Sequence, residues 1–386
     1  MTITPFTIPN PSARLAQIKT RVAEYEWHEM PEIKAGDNRW AYGTDMTYLR
    51  SLCTYWLEKY DWQDTLAELN AFPHFTAAIE GHTIHFIKEE GSGKNPRALL
   101  MTHGWPGSVY EFLQVIEPLA HPERFGGDAE QGVSVICPSL PGYGFSSKPK
   151  IPIGQMATAA LWDKLMRDVL GYDTYIAQGG DWGSVVTAAL GLHHNSKKGG
   201  GCVAIHINMY GLRGTEAPES AEEVAWAKHA QSMMQQEGAY FQLQSTKPQS
   251  LSYAMMDSPV GLCAWILEKF HGWSDIKNND IESRYTKHQL LSNIMIYLIT
   301  RSFNTSTWYY RAFVEELGHI PDGQKVEVPV GVGAFQDKFL SFPPRRMIEH
   351  SYNVIHWRDH KSGGHFAALE EPAAFVEEVQ SFLAKL

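Results

Sequence analysis

Gly179-Gly180-Asp181-Trp182-Gly183 directly follows the apolar run Tyr175-Ile176-Ala177-Gln178, and no other segment places reactive and permissive residue types in so telling an order. It reads as a strand ending in a tight strand-to-helix turn, a nucleophile elbow, with small residues on both sides of one exposed side chain. Such a turn forces its central residue into a strained backbone conformation, and a Cβ two residues away on either side would clash with it. The residue at the tip is a carboxylate. A serine there would attack an acyl carbon, whereas an aspartate attacks a saturated carbon and becomes an alkyl ester of its own side chain. Epoxides and carbon–halogen bonds are the targets that suit this chemistry. Asp between glycines also occurs in ordinary turns, where its side chain caps the local backbone. The surrounding sequence has to decide between the two.

Upstream, the apolar stretch Arg97-Ala98-Leu99-Leu100-Met101-Thr102 runs into His103-Gly104-Trp105-Pro106-Gly107. In an α/β-hydrolase the loop after this strand supplies one oxyanion-hole N–H and the residue after the nucleophile supplies the other. Those donors would be the backbones of Trp105 and Trp182. Pro106 suits a rigid bend, cis or trans, beside the Trp105 amide, and His103 reads as a hydrogen-bonding residue of the loop rather than a base. A base that activates water should follow the last strand, in the order nucleophile, acid, histidine. Val354-Ile355-His356-Trp357 reads as that strand, and Gly363-Gly364-His365-Phe366-Ala367 follows it. His365 is therefore singled out from seventeen histidines. The acid that orients its imidazole should follow the preceding strand, placed at 328–335. Asp337, 28 residues before His365, fits that role, with Glu349 and Asp359 as weaker alternatives.

With these parts in place, the chain resembles the epoxide hydrolases of the α/β-hydrolase superfamily, in particular the microsomal-type branch with a long N-terminal extension. The resemblance runs through Asp37-Asn38-Arg39-Trp40, Tyr55-Trp56-Leu57-Glu58, Leu69-Asn70-Ala71-Phe72-Pro73, Thr246-Lys247-Pro248, Asp257-Ser258-Pro259-Val260-Gly261-Leu262 and Gly363-Gly364-His365-Phe366-Ala367-Ala368-Leu369-Glu370-Glu371-Pro372. It implies two lid tyrosines whose O–H groups hold and protonate the epoxide oxygen. Matched residue by residue, these fall on Tyr240 and Tyr310, with Tyr309 as the rival of the second. Relatives of this branch often carry the acid three residues after the strand's Phe, where this chain has Lys338. The resemblance further implies no cofactor and no metal. Its substrate would be a small-molecule epoxide together with water.

Composition sets the outer limits. A chain of 386 residues with 44% hydrophobic and 12% aromatic content can bury a large core. Its net charge of −10, without a basic cluster, argues against a nucleic-acid partner. The four cysteines lie far apart without metal-ligand or disulfide spacing, so reduced thiols in a cytoplasm are expected. No secretory signal or membrane anchor is read at the N-terminus, and no apolar run approaches the ~18 residues a membrane span requires. The expected fold class is α/β: an α/β-hydrolase fold, its mostly parallel sheet flanked by helices, with a helical lid and an extension. Residues 1–80 are read as an extension of helix and loop, 81–211 and 326–386 as the two parts of the core, and 212–325 as the lid. The extension and aromatic content are compatible with a homodimer.

These readings converge on an epoxide hydrolase working through an Asp181 ester that His365-activated water cleaves. A haloalkane dehalogenase shares the Asp-Trp elbow, but it cradles halide with N–H donors and needs no pair of phenols. A non-catalytic ligand-binding relative of the same fold is the farther alternative, since fold alone never fixes function.

Overall fold

The runs Ala98–Thr102 and Ser134–Pro138 are buried at every residue, as strands covered by helices on both faces must be. They lie in a nine-stranded sheet made of β1 Ile3–Phe6, β2 His74–Ile79, β3 His82–Glu89, β4 Ala98–Thr102, β5 Ser134–Pro138, β6 Tyr175–Gly179, β7 Cys202–Ile207, β8 Val326–Ala334 and β9 Tyr352–Asp359. The spatial order is β1-β2-β3-β5-β4-β6-β7-β8-β9. From β5 to β9 in that order neighbouring strands pair in parallel, while β1, β2 and β3 pair antiparallel and β3 joins β5 antiparallel. The computed structural model describes residues 2–34, 36–316 and 318–386.

Side-chain alternation along β4 builds the two faces of the core. Leu99 and Met101 pack with the helices Leu113–Ala120 and Pro372–Leu383 on one side, whereas Ala98 and Leu100 belong to the larger cluster on the other. That second face carries the helix Trp182–His193, buried from Trp182 through Leu192. A helix enclosed all round is apolar all round, which is why its sequence shows no polar stripe.

Between β7 and β8 the described residues form six α-helices, Ala221–Glu237, Ala239–Thr246, Pro248–Asp257, Pro259–Trp273, Lys287–Thr300 and Phe303–Glu315. Three of them, the first, fourth and fifth, start with a side-chain cap. Ser220 with Glu223, and Thr286 with Gln289, each form a reciprocal capping box. The helices Ala239–Thr246 and Phe303–Glu315 pack on each other, which sets their facing residues over the C-terminal ends of β4 and β6.

Residues 1–80 differ from the helix and loop expected of them. They contain the helices Ser12–Ala23, Met46–Glu58 and Trp62–Asn70, but they also add β1 and β2 to the sheet. β2 pairs with β3 through a two-residue turn at Glu80 and Gly81, both at positive φ. The extension therefore joins the core by main-chain pairing, and the boundary expected at residue 80 falls inside a hairpin. It is also tied to the inserted helices, where Arg14 donates from Nε and Nη2 to the Leu298 carbonyl at 3.2 and 3.1 Å.

Candidate active site

Asp181 sits between β6 and the helix Trp182–His193 with φ 47° and ψ −128°, a conformation that non-glycine residues rarely adopt. The space around it explains its neighbours. A Cβ on Gly179 would lie 2.1 Å from the Gly183 carbonyl oxygen, and one on Gly183 would lie 1.8 Å from that of Thr102. Gly104 is constrained by the nucleophile itself, since a Cβ there would stand 2.2 Å from Asp181 Oδ1. Only glycine at these positions lets the strand, helix and loop approach so closely.

Of the two amides expected to face Asp181, that of Trp105 donates to Oδ1 at 2.7 Å, and the Trp105–Pro106 peptide is cis. The Trp182 amide makes no hydrogen bond to Asp181, although as the first residue of its helix it has no intrahelical acceptor. His103 takes the place expected of a loop residue. Its Nε2 accepts from the Leu140 N–H at 3.1 Å, so its Nδ1 donates to the Gly104 carbonyl at 3.0 Å. Burial pulls its pKa down to about 4, which keeps it neutral.

His365 approaches Asp181 Oδ2 with Nε2 at 3.3 Å, and its Nδ1 lies 2.7 Å from Asp337 Oδ2. Asp337 is fixed in turn by the N–H groups of Phe339 and Leu340, each donating to Oδ1 at 2.8 Å. The alternatives lie elsewhere: Glu349 accepts from exposed Arg345, and Asp359 accepts from the Trp357 indole. Lys338 points to the Ile276 carbonyl. Burial by itself would lower the His365 pKa, but the Asp337 charge and the contacts with Asp181 and Asp337 hold it well above the ordinary value. The loop that presents His365 is clamped by Glu370, which accepts the N–H groups of Asp275 and Gly364 at 2.8 Å and of Phe366 at 2.9 Å.

Tyr240 and Tyr310 face Asp181 across a cavity of about 260 Å³ lined mostly by apolar side chains, among them Val185, Met209, Phe241 and Phe313. Their rings stand 5.8 Å apart at 85°, and both pack on Trp105, Tyr240 by stacking at 5.4 Å and Tyr310 edge-on at 5.7 Å. The Tyr310 hydroxyl is buried without a hydrogen-bond partner. Tyr309 points away and donates to Thr158 at 3.3 Å. Burial raises the pKa of both facing phenols well above 10, with the Asp181 charge adding to it, so both stay protonated donors.

Behind Asp181 and His365 lies a second cavity of about 20 Å³, room for a single water molecule, bordered also by Glu111. Burial pushes the Glu111 carboxyl up to about 8. Glu111 carries no sequence signal of its own, and Glu370, although it lies in the stretch that resembles the family, shows its contacts only once the loops it touches are folded.

Residues 3–112 match the family described as Epoxide hydrolase N terminus, and residues 97–249 match the alpha/beta hydrolase fold. A relative from Stigmatella aurantiaca is 39% identical over 389 residues, covering 100% of this chain and 85% of its own. "Epoxide hydrolase 1" of Oryctolagus cuniculus is 34% identical over 378 residues, covering 90% of this chain and 82% of its own. The solved structure of Aspergillus niger epoxide hydrolase superposes with a TM-score of 0.85 at 30% identity, covering 100% of this chain and 97% of that one.

Proposed function

The chain belongs to the epoxide hydrolase family of the α/β-hydrolase fold, and from that premise we propose that it opens an epoxide to a vicinal diol through a covalent ester on Asp181. One observation carries the reading. Asp181 has one oxygen held by the Trp105 N–H at 2.7 Å and the other 3.3 Å from a histidine that is itself 2.7 Å from a second carboxylate. In this reading Oδ2 attacks one epoxide carbon, the carbon–oxygen bond breaks, and the departing oxygen takes a proton from Tyr240 or Tyr310. Oδ1 remains as the ester carbonyl, already beside an N–H donor. The helices of 212–325 act as the lid over core segments 81–211 and 326–386, with 1–80 as the extension.

The titration of His365 supports a closed proton cycle. In the free protein two carboxylates favour the imidazolium. Alkylation neutralises Asp181, so His365 gives up its proton, replacing the one the tyrosine lost. Neutral His365 then accepts a proton from the water that attacks the ester carbonyl. The tetrahedral oxyanion collapses, the diol oxygen leaves and takes the carboxyl proton, and the imidazolium and Asp181 carboxylate are restored. No helix among the described residues is long and apolar enough to cross a membrane. Four free, buried cysteines support a cytoplasmic setting; the extension and the chain's aromatic content are compatible with a homodimer.

A single turnover in heavy-oxygen water tests the covalent scheme. The label is expected in the Asp181 carboxylate, because water attacks that carbonyl carbon. Label in the diol alone during the first turnover would mean direct hydration and would overturn the scheme.

A further inference from the structure

Among the described residues, the cavity that Tyr240 and Tyr310 share with Asp181 is lined by two charged side chains, Asp181 and Arg213. Asp181 is the nucleophile of the proposed reaction. Arg213 has no part in it; it is half-buried on the cavity wall, and its charge is the one cation that the described lining residues carry.

Its protein contacts leave most of it unsatisfied. Among the described residues its one hydrogen bond runs from Nε to the Tyr210 carbonyl at 3.1 Å, and no carboxylate lies within ion-pair distance. The guanidinium carbon stands 5.4 Å from the Trp226 ring and 5.8 Å from that of Tyr210, which offers weak cation–π support. Acids near it in sequence or space are engaged elsewhere. Glu216 accepts from Ser351, Glu219 pairs with Arg346, and Asp322 accepts from Thr215. Burial draws the Arg213 pKa down, offset in part by Tyr210 and Tyr352, yet a guanidinium stays charged in any protein. A planar cation with free N–H donors on a cavity wall is the arrangement that recognises a carboxylate.

We propose that Arg213 is a specificity residue that receives a carboxylate carried by the epoxide substrate, so that the preferred substrates are epoxy acids with an apolar body. The inference rests on the epoxide-hydrolase reading and deepens it. The apolar body would lie along Met209, Met234 and Phe241 while the epoxide reaches Asp181 and the two phenols. Because the contact is made equally before and during ring opening, its effect belongs in KM more than in kcat.

The experiment uses terminal epoxides that carry a carboxylate at increasing distance from the ring, each paired with its carboxamide isostere. At least one acid is expected to exceed its amide in kcat/KM by on the order of ten- to a hundred-fold, as a charge-assisted hydrogen bond allows. The ratio should collapse toward unity in Arg213→Gln and be partly kept in Arg213→Lys. Because the ratio is taken within each pair, a general loss from poor folding cancels. Turnover of the amides by the native protein reports the epoxide reading separately. If the amides are turned over but no acid is preferred, or if Arg213→Gln leaves the ratio where it was, the assignment of Arg213 is wrong.

Discussion

Asp337→Asn separates the two chemical steps. The carboxamide can keep its carbonyl oxygen on the Phe339 and Leu340 amides, where Asp337 Oδ1 sits at 2.8 Å from each. Its NH₂ then faces His365 Nδ1, at the place where Oδ2 now lies 2.7 Å away. An NH₂ donates, so Nδ1 must accept, and the proton is forced onto Nε2. That is the nitrogen 3.3 Å from Asp181, which has to accept the proton of the attacking water. The wrong tautomer therefore blocks the base without moving it. A loss of about 10³- to 10⁴-fold in ester hydrolysis is expected by analogy with triads whose acid is amidated, or about 4 to 5.5 kcal/mol of transition-state stabilisation. In the proposed scheme ring opening uses Asp181 and the phenols, none of which is altered, so it should proceed. Mixed with an epoxide in excess, the variant should give a burst of one equivalent, and its intact mass should rise by that of the epoxide. Diol turnover within about tenfold of the native rate, with no ester accumulating, would refute the tautomer argument.

Tyr240→Phe and Tyr310→Phe should each slow the alkylation step by about 10²- to 10⁴-fold, read by rapid-quench mass spectrometry, while Tyr309→Phe should leave that step near native because its hydroxyl serves Thr158; equal losses in all three would remove the distinction. Gly183→Ala should prevent a native elbow, since its Cβ would meet the Thr102 carbonyl at 1.8 Å, and destabilise by about 3 kcal/mol or more in urea unfolding; a fully stable Ala variant would show that the close approach is not required. Burial lowers the pKa of His74, of His85 and of His103, the last to about 4. Their folded values lie below the unfolded value of ~6.5, so their contribution is complete above it and is lost as pH falls toward 4; urea midpoints that stay constant from pH 7 to about pH 4.5 would contradict this.

What could be read in the chain beforehand depended on how local each signal was. The elbow, the loop after β4 and the strand before His365 are short patterns of glycine and apolar residues, and Asp181, Trp105, His365 and Asp337 could be placed from chain order alone. Tyr240 and Tyr310 could not. They lie on helices whose other aromatics look the same, and only the family resemblance separates Tyr310 from Tyr309. The strands in the extension escaped notice for a different reason. Ile3–Phe6 is four residues long and contains a proline, and its partner lies some seventy residues away, as in the pairing of Ile3 with Ala77. Nothing within the segment itself distinguishes it from a loop. Glu111 and Arg213 escaped notice, and Glu370 was read without a role, because such charges have meaning only through what tertiary structure sets beside them.

The position of β1 also bears on solubility. β1 is short and holds Pro5, which has no N–H to offer a neighbouring chain. Beneath it lies β2, His74-Phe75-Thr76-Ala77-Ala78-Ile79, six residues without a proline or a formal charge. A truncation that removed residues 1–8 would leave every residue of the Asp181 site in place, but it would uncover one side of β2 from His74 to Ala77. The trimmed protein would then offer an open template for strand addition by a second molecule. Loss of the first few residues is therefore expected to be seen in light scattering before it is seen in turnover.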